Sequence, residues 1–490
     1  DTAIHIGDFL GNNNDSTANI TIGANGTVNG DLILGGNDSI NLTNNGAING
    51  SFLIEHTAGT PAVTLINNGV MDSGANPILI SDTSTGAAGT TIINNVGTFD
   101  ANGNLDPAFG VMTGDLVLDG NDRAYSITNS GIFTGEISFG APTTFGGAAV
   151  KNSGTMTAGA SGNILLVNDL GDDTTVLSFT NSFLGTITGD LVFGNNGDHS
   201  LTNSGDMTGT ISFGDGDNTA TLASGFVQAT DSVTLPTLPL LSMGAGADSL
   251  SLSGSRVQAQ EGFITETTDA NGAVDGFTFG DVADIQAGTL IDMGDDDDEV
   301  TIAGGAIGGA DTLLDLGTGA DTLTLTLNPL AAVDIDERSV ISGGADEDTL
   351  AFNVAAHEDG FEFTDFGQFA DFESLQVTAG ALILNPDANL FGVSGGTLTI
   401  NSGATLQVLD NANVTSEFAT GVIDGTLRVD GNLPLVAANG TFTVNGTGLL
   451  QFGITDVTDP TLNGILQSGG GSTTVTLADG SAVELILADQ

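Results

Sequence analysis

The sequence predicts an all-β fold, a parallel β-helix (β-solenoid) with about three short strands per coil and a C-terminal cap. Three observations predict it. Short phrases recur at intervals of roughly twenty to twenty-three residues, their apolar positions alternate with period two, and Gly and Asn punctuate them throughout. Helical periodicity is nearly absent.

The first phrase recurs as "NGTVNGDLILGG" (25–36), "NGAINGSFLI" (45–54), "FGVMTGDLVLDG" (109–120), "SGIFTGEISFG" (130–140), "GTITGDLVFG" (185–194) and "SGDMTGTISFG" (204–214). A second follows it as "SINLTNNG" (39–46), "VTLINNG" (63–69), "TIINN" (91–95), "YSITNSG" (125–131) and "SLTNSG" (200–205). Ile22, Leu42 and Leu65, then Phe179, Leu201 and Leu222, align as matching apolar positions. A strand this short cannot bury an apolar face alone. Stacking coil on coil at about 4.8 Å pairs each backbone with its neighbours and makes a continuous core. Asn44, Asn67, Asn94, Asn129, Asn152, Asn181 and Asn203 stand at the corners, where Asn tolerates turn geometry and stacked amides form a ladder.

These coils fill 1–235. Pro236 and Pro239 mark a seam, because proline cannot donate to a ladder. From 236 to 380 the phrases become "GAGADSLSL" (244–252), "GDDDDEVTI" (294–302), "GTGADTLTL" (317–325) and "GGADEDTLAF" (343–352), interrupted near 263–285 by a projecting loop or hairpin. From 381 to 490, "GTLTI", "ATLQV", "GTLRV" and "GTFTV" lead into the cap that protects the open sheet edge.

An acidic turn precedes a strand in coil after coil, at Asp38, Asp122, Asp173, Asp198, Asp217, Asp248, Asp298, Asp321 and Asp348. Unit charges one coil apart repel, by roughly 1 kcal/mol in water and more where the dielectric is lower. Solvent and salt, Asx turns or calcium would relieve that repulsion, since calcium takes carboxylate and carbonyl oxygens. The candidate metal ligands are Asp295, Asp296, Asp297, Asp298, Asp321, Asp348, Asp248 and Asp217, with the run 295–298 foremost and Ca2+ as the cofactor. The Gly-x-Gly-x-Asp-x-Leu units resemble half of an RTX calcium repeat. Tandem repeats of that kind stack nine-residue units; here each unit stands alone, so the ligands of a following unit are missing.

Composition narrows the function. Against 61 acidic residues stand only five basic ones, Arg123, Lys151, Arg256, Arg338 and Arg428, for a net charge of −56. That field excludes nucleic acid and repels anionic membranes. No run of the sequence approaches a membrane span, so no direct insertion of this chain is expected. There is no cysteine, hence neither disulfide nor thiolate site. Beginning at Asp1 without a signal sequence, the chain reads as a processed, secreted one. His5, His56, His199 and His357 are scattered and read as solvated turn residues, and no nucleophile elbow or zinc motif occurs. With no tryptophan and only Tyr125, aromatic platforms for sugars are scarce, which argues against a polysaccharide-active enzyme.

The stretches "LTNSGDMTGTISFGDGDNTATL" (201–222), "GGADEDTLAFNV" (343–354), "FADFESLQVTAGALIL" (369–384) and "GTLTINSGATLQV" through "GTFTVNGTGLLQF" (396–452) resemble passenger domains of autotransporters, the type V secreted proteins of Gram-negative bacteria. The resemblance implies a right-handed β-helix, exported to the cell surface, whose C-terminal part seeds folding. The serine-protease subgroup of that family does not match. The reading is therefore a non-enzymatic, extracellular or cell-surface rod, structural or adhesive, roughly 100 Å long if about twenty coils stack. Its expected partners are further copies, in filaments or a layer, or a host or neighbouring cell surface. A calcium-loaded binding module is the alternative, and a polysaccharide-active enzyme the second.

Overall fold

Alternating apolar residues build the coils as expected. A computed structural model of the chain describes residues 2–7, 17–35, 39–56, 62–82, 89–98, 105–106, 108–120, 123–139, 147–167, 176–194, 197–229, 238–268, 274–281, 284–329, 333–357, 359–363, 368–384, 396–409, 418–430, 432–454, 465–468 and 474–487. The described residues include no α-helix. Two compact units divide the chain, Asp1–Val233 with Leu240–Ala245, and Thr234–Pro239 with Gly246–Gln490. Asp38, Asp122, Asp173 and Pro236 lie outside the described residues.

In the first unit a coil has three strands. Ser39–Asn44, Ala47–Asn49 and Phe52–His56 form one, and Val63–Asn67, Val70–Asp72 and Ile78–Asp82 the next. Each strand pairs in parallel with its counterpart one coil on, so Ile40 meets Val63, Ile48 meets Met71 and Phe52 meets Ile78. Every second side chain points inward. Leu42, Leu65, Ile93, Ile127, Val150, Phe179 and Leu201 follow one another in a single buried file. Each side chain of that size contributes about 1.5–3 kcal/mol of burial.

The register corrects two sequence alignments. Ile22 lies opposite Asn44, not Leu42, and Leu222 lies opposite Asn203, not Leu201. Between those two apolar ends runs the asparagine ladder. The Nδ2 of Asn44 donates to Oδ1 of Asn67 (2.9 Å), Asn67 to Asn95 (2.8 Å), Asn95 to Asn129 (2.8 Å), Asn129 to Asn152 (2.9 Å), Asn152 to Asn181 (2.8 Å) and Asn181 to Asn203 (2.8 Å). The second N–H of each of these donors reaches a backbone carbonyl, such as Val70 O from Asn44 and Val111 O from Asn67. All members are buried. In "TIINN" the ladder takes the second asparagine, Asn95; the anticipated Asn94 is only half-buried. The glycine closing each corner is dictated by proximity. A Cβ on Gly69 would come within 2.1 Å of the Gly46 carbonyl oxygen.

In the second unit the strands lengthen and the coil changes. Ser249–Gln258 and Glu299–Gly308 each run through what were two strands, whereas Thr322–Thr326, Val333–Ile335 and Val340–Ser342 are again separate. The third-strand sheet ends at Phe369–Ala370. Beyond it, two parallel ladders continue. Leu375, Leu398 and Gly421 follow one another in one, and Leu382, Leu406 and Leu427 in the other. Among the described residues the third strand of the coil thus continues only as far as Ala370. The last described strands, Thr474–Leu477 and Ala482–Leu487, extend these ladders in parallel, and Val475, Leu477, Val483 and Leu485 are exposed on them.

The interruption anticipated near 263–285 is an antiparallel hairpin of Ile264–Thr268 and Val274–Phe279. Its foot buries Phe263 and Ile264 against Ala306, with Phe277, Phe279 and Ile285 around them. Arg256 lies 3.4 Å from Glu266 of the hairpin. Arg338 grips Asp336 with two nitrogens (2.6 and 2.7 Å), donates to the Gly280 carbonyl (2.8 Å) and stands over the Phe263 ring. Two of the five cationic side chains in the whole chain therefore fasten one hairpin.

The ladder register makes neighbouring asparagines unequal. Replacing Asn95 with Ala leaves a donor on Asn67 and an acceptor on Asn129 without their mates, at a cost of about 1–3 kcal/mol. Asn94→Ala should change stability by less than about 0.5 kcal/mol. Urea denaturation of the two variants side by side measures the difference, and equal losses would contradict this register.

Candidate functional site

The anticipated aspartate column is two files. At the residue just before the first strand of a coil, the side chain turns inward. His199 and Asn218 hold this position in the first unit, and Asp248, Asp298, Asp321 and Asp348 hold it in the second, followed by Glu373. The residue before it faces solvent in every one of these turns except the last, where Phe372 is buried. Asp198 and Asp217 belong to this outer file, as does Asp297. One residue along a turn converts a solvated carboxylate into a buried one.

The inner file is linked through the backbone. The Asp248 N–H donates to Oδ1 of Asp298 (2.8 Å), Asp298 N–H to Oδ1 of Asp321 (2.7 Å), Asp321 N–H to Oδ1 of Asp348 (2.9 Å) and Asp348 N–H to Oε2 of Glu373 (2.9 Å). Asp321 and Asp348 are fully buried, Asp298 nearly so. Their second oxygens, Oδ2 of Asp298, Asp321 and Asp348, are buried and receive no hydrogen bond.

Asn218 shows what surrounds such an atom. Its Oδ1 accepts the His199 N–H (3.0 Å), just as the aspartates accept theirs. Its Nδ2 donates to the carbonyl oxygens of Gly214 (3.0 Å), Gly216 (2.8 Å) and Met243 (3.2 Å). The turns are alike. The residue two before the inner position has positive φ in each: Gly216, Gly246, Asp296, Gly319 and Asp346. Where Asn218 presents a donor to carbonyl oxygens, Asp298, Asp321 and Asp348 present an oxygen, and an ionised carboxylate there needs a proton or a cation.

Burial accordingly pushes Asp298 up to about 8, Asp348 up to about 7 and Asp321 up to about 6. The N–H received on Oδ1 opposes the rise, and neighbouring carboxylates reinforce it: Asp248 and Asp321 act on Asp298, Asp321 and Glu373 on Asp348. Asp292, in register with Asp315, is raised by burial and by Asp315 and Asp295. This second acidic pair was not singled out in the sequence, because its residues lie in apolar strands rather than in a Gly-Asp turn.

The run 295–298 does not converge. Asp295 accepts the Thr318 hydroxyl (2.8 Å), Asp296 adopts the left-handed conformation, Asp297 accepts the Ala320 N–H (2.8 Å), and all three are exposed. Only Asp298 turns inward. The exposed Asp217 donates its own N–H to Asp198 (3.0 Å). Among the described residues, no three or more His, Cys, Asp or Glu side chains stand close enough together to hold a metal ion. A cation on the inner file would rest on one carboxylate oxygen and the turn carbonyls.

The histidines also need correction. His199 is not solvated; it is buried in the inner file, its Nδ1 accepts the Leu177 N–H (3.2 Å), and burial lowers its pKa. His357 is half-buried and meets Phe361 edge-on. The side chains of His5 and His56 lie outside the described residues.

The sequence matches no known family model and no curated protein. Among the described residues no helix is long and apolar enough to cross a membrane, which leaves β-barrels unaddressed.

The inner file sets a pH dependence. The native pKa values lie above the ordinary 3.8, so the folded form holds protons that the unfolded chain releases. Without divalent cations, their stabilisation should be complete below about pH 4, fall as the unfolded chain ionises above that pH, and be gone by about pH 8, with the steepest loss between about 4 and 6 where all three groups contribute. Asp321→Asn keeps the acceptor and supplies the missing donor, so it should stabilise the protein at pH 8 by about 1 kcal/mol and flatten the profile. Melting in EDTA across that range tests both. A rise in stability toward pH 8 would contradict the assignment.

Proposed function

We propose that this chain is a non-enzymatic structural or adhesive protein of the Gram-negative cell surface, built like an autotransporter passenger and acting through self-association or contact with another cell. The observation that carries the reading is where the recurring polar residues go. Buried asparagines bond to asparagines of the next coil, and inner aspartates receive backbone N–H groups. Outer aspartates accept N–H groups of the next coil, as Asp198 does from Asp217 and Asp297 from Ala320, and aspartates at another corner do the same, Asp115 from Glu136 and Asp190 from Thr210. These groups hold coils together instead of converging on a substrate. The exposed carboxylates keep like molecules soluble, while Val475, Leu477, Val483 and Leu485 offer an apolar surface for copies to join.

A second reading, calcium loading, is supported by the buried Oδ2 atoms of Asp298, Asp321 and Asp348. Carboxylate and carbonyl oxygens are the donors that hard cation prefers, and one carboxylate per site favours weak binding. These three residues would hold the ions.

Electron microscopy and sedimentation of native material test the first reading. Filaments or higher oligomers that Leu477→Asp with Leu485→Asp abolishes are the expected result. A monomer at every concentration, with no adhesion to cells, would remove it. Calcium titration by calorimetry tests the second: heats lost in a triple Asn variant at 298, 321 and 348 support it, and no heat excludes it.

A further inference from the structure

A break in one ladder carries an inference independent of the readings above. The two coils containing Leu325 and Phe352 stay paired through their first strands, where Thr322–Thr326 meets Thr349–Asn353, and through their third, where Ile341 meets Phe369. Among the described residues, their second strands do not pair with each other. Val333–Ile335 pairs on its far side with Gly305–Ile307, and Phe361–Phe363 on its far side with Leu382–Leu384. The facing edges line a cleft of about 520 Å³.

We propose that this cleft receives an extended, basic and apolar segment of another protein as an added strand. Its size fits. Three residues of strand, at about 3.3 Å each, about 4.8 Å between strands and about 10 Å through the side chains, fill roughly 480 Å³. The edge is chemically competent. Asp336 N–H donates to Ile307 O (3.1 Å), so strand alternation turns the N–H and C=O of Ile335 to the opposite edge, toward the cleft. Leu325, Leu327 and Phe369 supply apolar walls for inward side chains, while the exposed Glu337 and Glu362 supply carboxylates for outward cations; Asp334, which also lines the cleft, is half-buried and accepts the Phe277 N–H of the hairpin. Main-chain pairing with pockets for alternate side chains is the mode of strand addition.

Charge selects the occupant. Each of the five cations of this chain stands alone in the sequence, so a second copy offers no strand-length basic segment and would bring further negative charge.

The test uses the full chain and a blocked, fluorescent peptide of alternating valine and lysine, read by anisotropy. Two control peptides accompany it, one with glutamate for lysine and one with lysine retained but alternate backbone nitrogens methylated. Saturable binding is expected, roughly tenfold weaker for the methylated peptide, whose charge is the same but whose donors are gone, and undetectable for the glutamate peptide. Ile335→Pro, which removes a donor on the open edge only, should weaken binding about fivefold, and Glu337→Gln about threefold at low salt. Equal binding of the methylated peptide would reduce the interaction to bulk charge and overturn the proposal. So would no binding, or a dimer of this chain that Ile335→Pro dissolves without peptide.

Discussion

The structure depends on one constraint, that an inward polar group must find its partner one coil away. Stacked coils bury their interior side chains, and a buried donor or acceptor without a mate costs more than a formed bond returns. The first unit meets the constraint with side-chain amides, which both give and receive, so identical residues satisfy one another indefinitely. The ladder stops only where Ile22 and Leu222 replace the amide with hydrocarbon at the same register.

The second unit meets it differently. A carboxylate receives one backbone N–H and then has an oxygen too many. Aspartate at 298, 321 and 348 therefore differs from Asn218 by one atom and by the requirement for a proton or an ion. In a chain of net charge −56, that exchange also sets how the interior responds to the solution outside. The outer aspartates, one residue earlier, carry the same chemistry into solvent and remain ordinary coil-to-coil acceptors.

Much of this was legible in the sequence. The turn phrases, the alternation and the asparagine corners specify parallel coils and the ladder, since each phrase repeats the same physical problem. What escaped was register at the level of one residue. In "TIINN" either asparagine satisfies the pattern, and only the pairing of Ile93 with Leu65 selects Asn95. In "GDGDN" the aspartate draws the eye, although the inward position belongs to Asn218. His199 was misread for the same reason: a polar residue in a polar turn gives no sign of which way it faces. The missing pairing between Val333–Ile335 and Phe361–Phe363 was invisible because a gap is a relation between coils, not a property of either.

The asparagine ladder has a direction. Every Nδ2 points to the coil that follows, and the last, on Asn203, bends back to Gly205 O (3.0 Å). Seven amide dipoles, joined in series by six hydrogen bonds, polarise one another as peptide units do along a helix. Coils that look interchangeable by sequence thus sit at different electrical potentials, and a coil moved from one end of the ladder to the other would not find the field it left.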